Sequence, residues 1–323
     1  MKRIRHLFEY YLVISFYHFV RILPLGMLFV IARIAGFPFM ILPVYRKVIL
    51  GNLRAAFPEK SEAEISSLGW ESAGNTCLAL LEFFWFTKRP DRIGKHVKLE
   101  DETVRELFRK RKEEGKGLLI ITQHLGNWEL AGLSFSHYLD VPFAVVGRTL
   151  PNPYLEKIIF SGRSTNNTRV ISAKGAVKGM MQSFKEGYFI ATLIDQNTRV
   201  RDGGVFVNFF GLPVPTSRAP ALFAAKLNLP CVFASCTRNG QNYTLELTPF
   251  HEDFTSYAND EALIQDVLAR SEKYIRKYPE QYVWFYRRFQ YIPQDASEEL
   301  KAKFPSYAEL AGPRFYSNLA KKD

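Results

Sequence analysis

Two hydrophobic rhythms alternate along most of the chain. Residues 61–86, SEAEISSLGWESAGNTCLALLEFFWF, open on Ser61 with Glu64 three positions later, a capping-box pair. Ile65, Leu68, Leu80, Leu81 and Phe84 then recur at helical spacing. A charged helix is predicted over 103–114. Short apolar runs at 118–122, 142–147, 169–172, 188–194, 230–236 and 243–248 read as strands. Between and after them, helices are predicted over 127–138, 153–160, 176–185, 218–227 and 260–277. GVFVNFFG, residues 204–211, reads as part of a loop, and the chain from Gln294 onward as a peripheral helix and tail. The alternation predicts an α/β fold: a mixed, mostly parallel sheet flanked by helices.

The first 45 residues follow neither rhythm. Residues 7–45, LFEYYLVISFYHFVRILPLGMLFVIARIAGFPFMILPVY, are too long for the apolar core of a signal peptide, and no small-residue cleavage site follows. They are not a clean spanning helix either. Arg21 and Arg33 leave uncharged runs short of the ~18–20 residues a span needs, and Pro24, Pro38 and Pro43 interrupt helix. Basic clusters flank both ends, so a single span would place one on the wrong side of the membrane. The expectation is a segment embedded in the cytoplasmic leaflet, the alternatives being a hydrophobic hairpin buried in the protein and one tilted span. This divides the chain into an N-terminal membrane anchor (1–45), an α/β domain (46–300) and a tail (301–323).

Composition sharpens that picture. The 323 residues are 47% hydrophobic, enough for a large core, and carry a formal net charge of +11. Residues 1–60 hold nine Lys/Arg against Glu9 and Glu59, so they contribute +7 of that total. Their basic residues are interleaved with Phe, Tyr, Leu and Ile, which argues for a membrane partner and against nucleic acid. Cys77, Cys231 and Cys236 form no CxxC pattern and read as reduced, buried thiols, with no metal site.

The ends of the strands carry the candidate chemistry, because open α/β sheets gather ligands at the carboxyl ends of their strands. LLIIT ends in Gln123-His124, the 142–147 strand in Arg148, and the 188–194 strand in Asp195-Gln196. In ITQHLGNWEL (121–130), His124 is followed five residues later by Glu129. A neutral imidazole suits removal of a hydroxyl proton near pH 7, and a carboxylate behind it fixes the tautomer. Gly126 permits a tight turn, and Asn127 caps the following helix with Glu129 in its first turn. Spacing alone is weak: composition supplies roughly 0.6 His-x4-Asp/Glu matches by chance. His96 with Asp101 is a second match, in a segment read as a solvated connection. The structural alternative for His124 is a satisfied buried histidine. Walker, GxGxxG, HExxH and GxSxG motifs are absent from the sequence.

HLGNWEL resembles the His-x4-Asp/Glu box of the lysophospholipid acyltransferase superfamily, in the Glu form of the late (secondary) lipid A biosynthesis acyltransferases. Four further segments are similar to that family: NLRAAFPEKSEAE (52–64), VVGRTLPNPYLEKIIFSGR (145–163), LIDQNTRVRDGGVFVNFFGLPVPTSRAPALFA (193–224) and PEQYVWFYRRF (279–289). After Arg163, STNNTRV departs from the family's basic, glycine-containing turn. The resemblance implies transfer of a fatty acyl chain from acyl carrier protein to a hydroxyl of a lipid A precursor. It places the enzyme at the cytoplasmic face of the inner membrane, and it implies neither a covalent intermediate nor a metal or other cofactor. It makes His124 the general base and Glu129 its partner. Asn127, Arg148, Asn152, Arg163, Asp195 and Gln196 become substrate-binding candidates, with the arginines toward a phosphorylated glycolipid acceptor. Asp195 is expected to orient an arginine or a sugar hydroxyl. Phe206, Phe209 and Phe210 are candidates to line an acyl groove, and Arg199, Arg201, Arg287 and Arg288 to touch headgroups or solvent. The rivals are the same chemistry on another glycolipid or phospholipid, or with acyl-CoA as donor, and a non-catalytic lipid-binding protein.

Overall fold

A seven-stranded sheet lies at the centre of the chain. The computed structural model describes residues 2–100, 102–147, 150–163, 168–172, 175–227, 229–250 and 257–317. The strands are β1 (Val97–Leu99), β2 (Leu118–Thr122), β3 (Phe143–Gly147), β4 (Thr168–Ser172), β5 (Phe189–Leu193), β8 (Cys231–Asn239) and β9 (Asn242–Pro249), in the order β1-β9-β8-β2-β5-β3-β4. Only β8 and β9 pair antiparallel; every other neighbouring pair is parallel. All five residues of β2, at the middle of the sheet, are buried. Leu119 and Ile121 join one hydrophobic cluster and Leu118 and Ile120 the other, so an unbroken apolar run is what a strand covered on both faces requires.

Helices α7 (Trp128–Tyr138), α8 (Pro153–Arg163), α9 (Ala176–Lys185), α10 (Ala219–Leu227) and α11 (Asp260–Lys277) follow the predicted pattern, with α5 (Pro90–His96) and α6 (Glu102–Glu113) before β2. Between β5 and α10 the structure departs from expectation. GVFVNFFG is not a loop but half of a hairpin, β6 (Gly204–Phe209) with β7 (Leu212–Ser217). Phe210 and Gly211 turn it at φ +53° and +78°. Two consecutive left-handed residues give a turn whose twist matches the strands, and a phenylalanine in that region hid the signal. Phe209 and Phe210 are buried against Phe289 and Trp284 and serve the core, whereas half-buried Phe206 packs on Phe315.

The N-terminal region forms α1 (Lys2–Ile22), α2 (Leu25–Ile41) and α3 (Pro43–Ala56), laid on the long α4 (Glu62–Phe86). The capping box at Ser61 and Glu64 is formed as the sequence predicts. Gly36 of α2 crosses α4 so closely that a Cβ there would stand 2.7 Å from the backbone N of Gly74. Helix α1 has its polarity reversed. Its inward side is hydrogen-bonded: Asn152 donates to the His6 carbonyl (2.9 Å) and to Glu9 (2.8 Å), and Arg21 donates to the Thr87 carbonyl (2.6 Å) and to Tyr17. Its outward side shows large apolar residues, with Ile4, Phe8, Tyr11, Leu12 and Ile22 between 61% and 79% exposed, beside the exposed basic residues Lys2, Arg3 and Arg5 of its first turns. Met27, Val30, Ile34 and Phe37 extend that surface along α2. No single helix among the described residues is long and apolar enough to cross a membrane. Helices α2 and α3 meet that criterion only as a pair, bent by 93°.

Past α11 the chain runs through β10 (Tyr291–Ile292), α12 (Glu298–Ala302), β11 (Glu309–Leu310) and α13 (Pro313–Tyr316). The three cysteines are free and buried, as expected.

Candidate active site

β2 supplies the histidine, β5 supplies its carboxylate, and strand register makes them meet. Thr122 and Leu193 are the last paired residues of the two parallel strands. Two positions beyond each lie His124 and Asp195, so strands leaving the sheet in step deliver both side chains to one place. His124 Nδ1 lies 2.8 Å from Asp195 Oδ1, and Oδ2 accepts the backbone N–H of the same histidine at 2.8 Å. With Nδ1–H donating, the neutral ring presents Nε2 as its basic atom. Burial disfavours the imidazolium. The charge and hydrogen bond of Asp195, with the charge of Glu129, outweigh burial and raise the His124 pKa above its ordinary value. Burial likewise pushes the Asp195 carboxyl up, but His124 and, more distantly, Arg288 hold it below the usual carboxylate value.

Asp195 therefore occupies the place behind the imidazole that the sequence assigns to Glu129. Glu129 forms a bidentate pair with Arg163, 3.0 Å from Nε and 2.5 Å from Nη2. It sits in the first turn of α7 and Arg163 in the last turn of α8, where each charge complements its helix dipole. Beneath the pair, between α7 and the sheet, lies a largely apolar cavity of about 80 Å³, lined among others by Trp128, Gly132, Leu133, Phe135 and Phe143. The His124 ring packs edge-on against Trp128 at 5.1 Å, so the imidazole stands next to the residues that line the cavity.

The turn carrying His124 is strapped from two sides. Gly126 has φ +61°, and a Cβ there would lie 2.0 Å from the Cys236 carbonyl oxygen, so only glycine fits. That carbonyl accepts the Asn127 N–H at 2.9 Å. On the other side, the Gln281 carbonyl accepts the Gly126 N–H (3.0 Å), and the Val283 N–H donates to the His124 carbonyl (3.1 Å). The segment PEQYVWF is thus a brace for the histidine turn. Gln281 also brackets the backbone of Arg238, and Asn52 and Ser72 hold the carbonyls of Trp284 and Tyr282.

Below this turn is a buried polar network. Glu82 is fully buried and receives Arg238 Nη2 at 3.0 Å, Asn127 Nδ2 at 2.8 Å and the Tyr243 hydroxyl. Asn127 also accepts the Leu130 N–H at 2.8 Å, capping α7 as expected. The sequence named Asn127 as a substrate contact; it is fully buried, and both ends of its amide are committed to the protein. Asn152, also a predicted contact, is buried and ties α1 to α8. Gln196 is exposed, one residue beyond Asp195. Arg148 and residues 164–167 of the STNNTRV stretch lie outside the described residues. Arg288 is buried beside this region, donating to Asn197, the Pro215 carbonyl and Thr216, whereas Arg199 pairs with Asp202 at the surface. Among the described residues no group of three or more His, Cys, Asp or Glu side chains is placed to hold a metal ion.

The family model for bacterial lipid A biosynthesis acyltransferases matches residues 1–291. The lipid A biosynthesis lauroyltransferase of Escherichia coli K12 is 26% identical over 260 residues, spanning 77% of this chain and 80% of its own length. The palmitoleoyltransferase of the same organism is 25% identical over 250 residues, spanning 75% and 78%. A lipid A biosynthesis acyltransferase of Haemophilus influenzae is 26% identical over 255 residues, spanning 77% and 78%.

Proposed function

Because the chain belongs to the bacterial lipid A biosynthesis acyltransferase family, and is thus an acyltransferase that acts on lipid A, we propose that it moves a fatty acyl chain from acyl carrier protein to a hydroxyl of a lipid A precursor. His124 acts as general base. The observation that carries this reading is the His124–Asp195 pair, 2.8 Å apart at the ends of two parallel strands. A buried carboxylate on Nδ1 orients the ring and stabilises the imidazolium, leaving Nε2 to take the acceptor's hydroxyl proton as the oxygen attacks the thioester carbonyl. The tetrahedral intermediate then collapses, the thiolate of the donor leaves, and the proton passes from His124 to that sulfur. Arg163 and the Glu129 carboxylate that it holds border the cavity, so an acyl chain seated there brings its carbonyl to the charged end.

The reversed amphipathicity of α1 supports a membrane location. A helix that hydrogen-bonds inward and shows Phe8, Leu12 and Ile22 outward is built for an apolar surrounding on its outer side. With a lipid acceptor and a basic N-terminal region, the setting is the cytoplasmic face of the inner membrane, where the outward face embeds in one leaflet.

The test is direct. Wild-type and His124→Ala proteins, purified in detergent, are each incubated with acyl carrier protein loaded with chains of several lengths and a tetra-acylated lipid A precursor, and the lipids are weighed by mass spectrometry. A product one acyl chain heavier with wild type and absent with the variant is expected. No product from folded wild-type protein overturns the donor–acceptor assignment, and product surviving in the variant overturns the role of His124.

A further inference from the structure

A groove runs between α3 and the segment that follows α12. Arg46, Lys47 and Arg54 line it from the helix, Lys303 and Ser306 from the segment, and no carboxylate is among its lining residues. Arg54 is held by Glu62 (2.8 and 2.7 Å) and Lys303 lies 3.1 Å from Glu299. Both are exposed pairs of the weak kind, and their carboxylates stand outside the groove. Arg46 and Lys47 are exposed, and among the described residues neither has a carboxylate within salt-bridge distance.

The walls are fixed by packing. A Cβ at Gly51 would lie 3.2 Å from the Pro305 Cβ, so the missing side chain lets the segment lie close on α3. Phe304 is buried, and the Tyr307 hydroxyl donates to Asn52 on the inner side of the helix. Concave shape and positive charge are therefore present before any ligand arrives. At the elbow where α2 gives way to α3, the groove meets apolar residues: Ile41, Leu42, Val44 and Tyr45 are between 41% and 58% exposed.

An acid-free basic groove opening on an exposed apolar rim matches one kind of molecule, an amphiphile with an anionic head. Phosphate oxygens satisfy the guanidinium and ammonium groups, and acyl chains cover the rim. A soluble phosphate has no use for the rim. We infer that the α3 groove binds the phosphate headgroup of an anionic membrane phospholipid, separately from the acceptor at His124. The inference rests on the membrane reading of the outward α1–α2 face. It gives residues 303–306 a purpose: they complete a headgroup site that orients the enzyme on the leaflet.

The full chain tests this by flotation with phosphatidylcholine vesicles and with vesicles that also contain phosphatidylglycerol, at equal ionic strength. Wild type is expected to float with both and to prefer the anionic vesicles on the order of tenfold. Arg46→Gln with Lys47→Gln should keep binding to phosphatidylcholine and lose most of the preference. Lys98→Gln with Lys110→Gln, an equal loss of charge on β1 and α6, should keep it. A preference unchanged in the groove variant, or lost equally in the control, overturns the site while leaving the membrane reading intact. A wild type that floats with neither vesicle overturns both. If glycerol phosphate in solution protects the protein against heat as well as phosphatidylglycerol in micelles does, the groove is a soluble-anion site and the lipid assignment falls.

Discussion

The Asp195 carboxylate grips His124 twice, with Oδ1 2.8 Å from the imidazole Nδ1 and Oδ2 2.8 Å from the backbone nitrogen. One carboxylate thereby fixes both the ring and the peptide that carries it. The arrangement follows from register: each residue stands two positions past the Thr122–Leu193 pair.

Asp195→Asn should lower kcat/KM by about 10²–10⁴-fold, because an amide neither selects the tautomer nor stabilises the imidazolium. It should also move the pH profile. On the proposed general-base reading, activity requires neutral His124, whose pKa is raised, so activity should be lost as pH falls through a value above the ordinary histidine range. Removing the Asp195 charge lets burial lower that pKa, and the acid limb shifts to lower pH. Profiles of kcat/KM for the two proteins check this; an unmoved limb separates Asp195 from the base.

Glu129 raises the His124 pKa less than Asp195 does, through its charge alone, and is engaged by Arg163. Glu129→Gln should therefore move the acid limb less than Asp195→Asn does. Arg163→Lys, which keeps the charge but not the bidentate geometry, should reduce activity with little change in the limb. Equal limb shifts in Glu129→Gln and Asp195→Asn would return Glu129 to a share in the base.

The alternation of apolar runs made the α/β architecture legible, and the strand ends pointed to the candidate site, because both depend on local pattern. The partner of the histidine did not show, since it depends on which strands lie side by side, and spacing along one turn pointed to Glu129 instead. Glu82 left a sign that went unused: a lone carboxylate in the apolar run LALLEFFWF is costly unless a partner awaits it. The partner, Arg238, lies 156 residues away. The reversed face of α1 is hidden in sequence for a related reason, since helical periodicity reveals two faces without saying which one meets the protein.

Glu82→Ala should be severely destabilising, by about 3–5 kcal/mol, because it leaves the Arg238 guanidinium buried without its counter-charge. Glu82→Met combined with Arg238→Met removes both charges and should recover much of that loss. Denaturant unfolding of both variants decides: comparable losses in the two would mean that shape, not charge, makes the network necessary.

Gly126→Ala should abolish activity and destabilise the fold by several kcal/mol, on the order of the larger backbone penalties. The methyl group would occupy the position of the Cys236 carbonyl oxygen and force a positive φ on alanine. Circular dichroism during heating, with the acyl transfer assay, separates lost fold from a displaced histidine. A stable and fully active variant would mean that the turn relaxes without moving His124.

Gly132 offers the opposite case. It lines the apolar cavity from the middle of α7, and a Cβ there would meet only a Phe143 ring carbon, at 4.0 Å. Gly132→Ala should stabilise the protein by about 0.5–1 kcal/mol, as alanine does in place of glycine within helices. Gly132→Leu sends a larger side chain into the cavity and replaces none of His124, Asp195 and Glu129. If that cavity holds the acyl chain, long-chain donors should lose kcat/KM by tenfold or more, on the order of a few displaced methylenes, while short-chain donors keep theirs. The ratio of rates across a series of acyl carrier protein donors reads this directly. A uniform fall across all lengths would place the chain elsewhere and leave the cavity as packing.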